Sequence, residues 1–168
     1  MTYAPSKNRI LLARIAIGMI LGLALVGVVS YGVSTETVSR IWHNIAARPG
    51  GPMTFRFILQ PAMAAVAALR DGVKDARLDR RPYLLAMIRG TRDAEGRGAR
   101  LWDGIVSTAK ILILGVVMDV IYQIVFLETF FPAESAIIAV LLAFVPYALL
   151  RGTIARIARH SVVRPTSG

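Results

Sequence analysis

STAKILILGVVMDVIYQIVFLETFFPAESAIIAVLLAFVPYALL, residues 107–150, consists of two apolar runs joined by a short polar link. A helix that crosses a hydrocarbon core of about 30 Å needs about 20 mostly apolar residues. Residues 107–126 and 135–150 approach that length, while the link at 127–134 (LETFFPAE) is too short for a domain and has Pro132 to turn it. The stretch therefore predicts a membrane-embedded helical hairpin. Its link carries two acids and no base, whereas Lys110 flanks one open end and Arg151, Arg156, Arg159 and Arg164 flank the other. Cytoplasmic loops are rich in Lys and Arg, so the open ends are expected inside and the link outside.

The rest of the chain fits a membrane protein. Of 168 residues, 55% are hydrophobic, against roughly 45–50% in an average soluble domain, and the mean hydropathy is +0.59. A net charge of +10 in a soluble protein would suggest nucleic acid. Here the arginines cluster beside apolar runs, so the charge reports orientation and no nucleic-acid partner is expected. The absence of cysteine excludes a disulfide framework, a thiol nucleophile and Cys-based metal sites, and two histidines leave little for metal chemistry. No Walker, dinucleotide-binding or H-E-x-x-H motif occurs. The expectation is no metal, no cofactor and no catalytic residue; a membrane enzyme is the least supported class.

Residues 10–33 form a further apolar run that follows Lys7 and Arg9 and contains only Arg14, whose long side chain can reach back to headgroups. The run is longer than a signal-peptide core and lacks an A-x-A site, which predicts an uncleaved anchor. Residues 53–69 are also largely apolar but are interrupted by Arg56, Gln60 and Pro61. With the N-terminus inside and ten Lys or Arg between Arg70 and Lys110 also inside, the chain must cross a second time before Arg70. A crossing at 53–69 gives an all-α bundle of four transmembrane helices with both termini cytoplasmic. The alternative is three spans with an interfacial helix at 53–69. In the four-span arrangement residues 35–52 would be an outer connection, with Trp42 at the interface, His43 solvated beside it, and RPGGP (48–52) breaking the chain.

The whole chain reads as one membrane domain, with a cytoplasmic basic helix and loop at 70–106 and a basic tail at 151–168. In the former, Arg70, Lys74, Arg77 and Arg81 recur at helical spacing beside a row of Asp71, Asp75 and Asp79. The basic stripe suits anionic lipid headgroups; the plain alternative is a solvated, mutually paired face. Residues 83–90 form an apolar patch that either dips into the interface or packs beneath the bundle, and 90–100 read as a flexible loop.

Asp119 is the anomaly. Asp119, Tyr122 and Gln123 stand at i, i+3 and i+4 and so share one face of an apolar helix. An ionised Asp deep in a bilayer costs about 2.5–3.5 kcal/mol on insertion scales, so this face should meet protein, water or a proton. Candidate partners are Arg14, Ser30, Tyr147, or the same cluster in a second copy. One role is to hold helices together; the other is a protonatable site in a small transporter, with Pro61 and Pro146 distorting its helices. In the first run, Gly18 and Gly22 form a GxxxG pair that permits close helix packing within the chain, with a membrane-protein partner or in a homo-oligomer.

FRFILQPAMAAVAALRDGVKDAR, VVMDVIYQ and LLAFVPYALLRG, lying between about residues 53 and 156, together resemble the small uncharacterised multi-pass inner-membrane proteins of proteobacteria. The resemblance implies a bacterial inner-membrane location and supplies no catalytic residues. The expected role is structural or accessory, through helix packing and partner association, with an ion-coupled transporter using Asp119 as the alternative.

Overall fold

The computed structural model describes residues 5–51, 54–89 and 96–162. Among these, all regular structure is helical. Helix α1 (Lys7–Tyr31) ends where Gly32, at φ 67°, lets its N–H return to the Val28 carbonyl; a positive φ here favours glycine. Helix α2 (Thr35–Ala47) is capped by Ser34, whose side chain accepts from the Thr37 N–H. A short 3-10 turn at Arg48–Gly50 leads to α3 (Arg56–Arg77), which carries Pro61 inside it without interruption. Helix α4 (Tyr83–Arg89) is followed by two long helices, α5 (Arg97–Leu127) and α6 (Pro132–His160). Each of these contains a π turn, at Gln123–Leu127 and Val140–Phe144. The second π turn directly precedes Pro146, which has no N–H to return to the preceding turn.

Three helices, α1, α5 and α6, are long and apolar enough to cross a membrane. Helix α3 is not among them, because it carries Arg56 and Gln60 at its start and five charged residues between Arg70 and Arg77. Its course nevertheless follows theirs. Arg56 contacts α5 at Asp119 and Asp75 contacts it at Arg100, so α3 runs antiparallel beside α5 over a length of about 28 Å at helical rise. Along α6 it runs parallel, with Asp71 at Tyr147 and Asp75 at Arg151. The buried seams are rich in alanine: Ala13 and Ala16 of α1, Ala64 and Ala68 of α3, Ala109 of α5, and Ala143 and Ala148 of α6. Small side chains let helices approach closely where lipid supplies no hydrophobic drive to associate. At Gly72 α3 and α6 approach closely, since an added Cβ would come 2.9 Å from the Arg151 carbonyl oxygen.

Several expectations change. Residues 35–47 form a helix where an outer connection was expected, because Ser34 caps an amphipathic stretch. Helix α5 begins at Arg97, ten residues before the expected span, so 97–100 is helical; 90–95 lies outside the described residues, as do Pro52, Met53 and Arg164 in the tail. Helix α6 continues past Leu150 to His160. Glu134 belongs to the first turn of α6 and is fully buried, leaving Glu128 as the exposed acid of the link. Of the 83–90 patch, α4 packs against α5 and α6, with Tyr83 and Ala86 buried; residue 90 lies outside the described residues.

The GxxxG pair also points the other way. Gly18 and Gly22 are exposed and have no atom near enough to meet an added Cβ, so among the described residues they pack against no helix. Gly27 does so: a Cβ there would lie 2.5 Å from Ala133 Cβ and 2.7 Å from its backbone nitrogen. The spacing permits close packing but does not say which face turns inward. Gly27→Val is expected to cost about 1–3 kcal/mol through overpacking of α1 on α6, whereas Gly18→Val leaves the monomer unchanged. Thermal melting in mild detergent checks both, and equal losses at the two positions would show that the contact face is wrongly placed.

Candidate functional site

Asp119 lies eight residues before the end of α5, at Leu127, roughly 12 Å along the helix. Successive turns of α2 lead down to it. Thr37 bonds the Tyr31 carbonyl, the Arg40 guanidinium sits 4.4 Å from the Phe131 ring centroid, and Asn44 donates to Glu134 at 2.9 Å. Arg48, just past the end of α2, reaches Glu134 at 2.8 Å and also pairs with Asp119. The chain then turns and restarts as α3, whose first residue, Arg56, donates to the same Asp119 oxygen at 2.7 Å.

Both oxygens of Asp119 are bonded. Asp119 Oδ1 accepts from Arg48 and Arg56, and Oδ2 accepts from Gln123 at 2.7 Å. Gln123 also donates to Ser135 at 3.0 Å and accepts the Phe131 N–H at 2.6 Å, fastening the start of α6 to the end of α5. Gln60 accepts from Arg56 Nε at 2.9 Å and donates to the Ile111 carbonyl at 3.4 Å. Tyr122 presents its ring to Arg48, 5.5 Å from centroid to guanidinium carbon, in reach of a cation–π attraction. Arg48, Arg56, Asp119 and Glu134 are all buried, and their formal charges cancel. An ion in such a place is tolerated only when paired and hydrogen-bonded.

Of the residues singled out in the sequence, Asp119 and Gln123 are thus directly bonded and Tyr122 adjoins their arginine partner. The partners expected for Asp119 do not supply the contact. Arg14 and Ser30 are exposed on α1, and Tyr147 belongs to a second cluster at the other end of α3. Arg56 and Gln60 were visible as interruptions of an apolar run at i, i+4; Arg48 gave no such signal, because it lies in a segment read as an outer loop. His43 is exposed, and among the described residues no group of three or more His, Asp or Glu could hold a metal.

The second cluster centres on Asp75. Arg100 and Arg151 each donate to both of its oxygens, at 2.8–3.3 Å. Arg151 also donates to Asp103 at 2.8 Å and to the Tyr147 hydroxyl at 2.6 Å, which in turn donates to Asp71 at 2.6 Å. The Arg151 guanidinium carbon stands 4.6 Å from the Tyr83 ring centroid. Burial pushes the Tyr83 phenol up to about 12, with the Arg151 charge opposing the rise. Asp71 and Asp75 are therefore turned inward, while Arg70, Lys74, Arg77 and Arg81 stay exposed.

No protein-family model, curated protein or solved structure matches the chain.

Proposed function

We propose that the chain is an integral protein of the bacterial inner membrane that crosses it four times, with both termini in the cytoplasm, and that its role is structural or accessory. Helix α3 supplies the fourth crossing. A helix lying flat at the interface would cross its neighbours, whereas α3 follows α5 and α6 between two buried ion clusters about 28 Å apart. Its charges lie at its ends, where Arg56, Asp71 and Asp75 are bonded to other helices and Arg70, Lys74 and Arg77 are exposed, so low apolarity does not bar it from the membrane. Helix α2 leads into this crossing from the side of the 128–131 link, which makes the crossing discontinuous where α2 ends and α3 has yet to begin.

The observation that carries the structural role is the occupancy of Asp119: both oxygens already accept from Arg48, Arg56 and Gln123. A carrier needs a carboxylate that can exchange its partner for a proton or cation, and three fixed donors oppose that exchange. The cluster acts instead as a strut joining α2, α3, α5 and α6. A transporter remains the second reading because the crossing is broken beside Asp119, as in secondary transporters. In addition, Arg48 Nε and Arg56 Nη2 are buried without an acceptor among the described residues.

Vesicles reconstituted with the purified chain and loaded with a pH-sensitive dye separate the two. The structural role predicts proton flux no greater than in protein-free vesicles. Flux that Asp119→Asn abolishes would overturn it in favour of transport. Affinity purification from native membranes is expected to recover a stoichiometric membrane-protein partner.

A further inference from the structure

The outward face of α3 changes character within one turn. Leu59, Met63 and Val66 are exposed, and the same face continues through Arg70, Lys74 and Arg77, also exposed; the steps of three and four residues keep all six in one stripe. Arg81 follows just beyond the helix end and is exposed too. The acids that could neutralise the stripe face elsewhere. Asp71 bonds Tyr147, Asp75 is enclosed by Arg100 and Arg151, and Asp79 lies 3.7 Å from Arg159. Among the described residues none of the four cations makes an ion pair. The other helices repeat the pattern at this end: exposed Lys7, Arg9 and Arg14 precede the apolar length of α1, and exposed Leu149 and Leu150 of α6 give way to Arg156.

We propose that Arg70, Lys74, Arg77 and Arg81 form a binding surface for anionic phospholipid headgroups of the leaflet on this side. The argument is charge complementarity at a fixed depth. An apolar stripe that becomes basic matches acyl chains that end in charged headgroups, and the inward-facing Asp71 and Asp75, with exposed Asp79 beside Arg159, leave that charge for lipid. Polybasic segments next to a membrane are drawn to anionic headgroups in this way. The surface rests on the membrane reading given above.

Native mass spectrometry of the purified full chain in mixed micelles tests it, with phosphatidylglycerol and phosphatidylcholine supplied in equal amounts. The chain should retain the anionic lipid in preference by at least about tenfold, which little more than one of the four cations would supply. A variant combining Arg70→Gln, Lys74→Gln, Arg77→Gln and Arg81→Gln should lose the preference while keeping its helical circular dichroism, since all four side chains are exposed. High salt should release the lipid from the unsubstituted chain, which checks the charge term even if the variant folds poorly. Equal retention of both lipids, preference surviving in the folded variant, or displacement by millimolar inorganic phosphate alone would overturn the proposal. Failure of the chain to fractionate with membranes would instead overturn the reading on which it rests.

Discussion

Asp75→Ala is expected to destabilise the protein by about 3–5 kcal/mol, the usual cost of removing one partner from a buried ion pair. The loss is large because Asp75 accepts from two guanidiniums at once, and both Arg100 and Arg151 are buried. Without it Arg100 keeps the Arg81 carbonyl, at 3.0 Å, and the Tyr83 ring, and Arg151 keeps the Tyr147 hydroxyl and Asp103, whose side chain is 46% exposed. Three helices meet there: α3 brings Asp75, α5 Arg100 and α6 Arg151. Melting in mild detergent should therefore fall by about 10 °C, with α3 detaching from α6. Replacing Asp75, Arg100 and Arg151 together by Leu, Met and Leu should cost less than Asp75→Ala alone, because no unpaired charge is left buried. A single variant that melts within 1–2 °C of the unsubstituted protein would show that the cluster carries no such load.

The all-helical class could be read from the sequence because apolar run length is a local property. Residues 10–33, 107–126 and 135–150 each lie largely or wholly within a helix long enough to span. The face shared by Asp119 and Gln123 was readable for the same reason, since i and i+4 are neighbours on any helix, and the two bond at 2.7 Å. What crosses between helices was not. Arg48 reaches Asp119 over 71 residues of sequence, and nothing in RPGGP says that the break lies beside a carboxylate. Arg56 and Gln60 offered a better signal, because charges buried in a membrane must balance and the only acid inside the apolar run of α5 is Asp119. The aspartate row of α3 misled for a different reason. Helical spacing places Asp71 and Asp75 beside the basic stripe, but only the packing of α5 and α6 decides that these acids turn inward while the bases turn out.

Asp119→Asn discriminates between a strut and a titrating carrier more sharply than a loss of transport alone. Asparagine preserves the volume of the side chain and can still bond Gln123, but it removes one of the two negative charges that balance Arg48 and Arg56. Among the described residues Glu134 reaches Arg48 and Asn44 but not Arg56, so the Arg56 guanidinium would be left buried with Gln60 as its partner. For a strut the expected cost is about 3–5 kcal/mol, the cost of breaking a buried pair. Adding Arg56→Gln to the same chain should recover most of it, because the remaining Arg48–Glu134 pair is neutral by itself. The recovered part is the coupling between the two positions, which a double-mutant cycle on melting measures directly. A carboxyl that passes through a neutral form in a working cycle would behave differently. Asparagine resembles that neutral form, so the variant would fold with little loss, the second substitution would recover nothing, and proton flux would disappear. Strong destabilisation rescued by Arg56→Gln therefore identifies Asp119 as the fixed anion that holds the end of α2 and the start of α3 to α5.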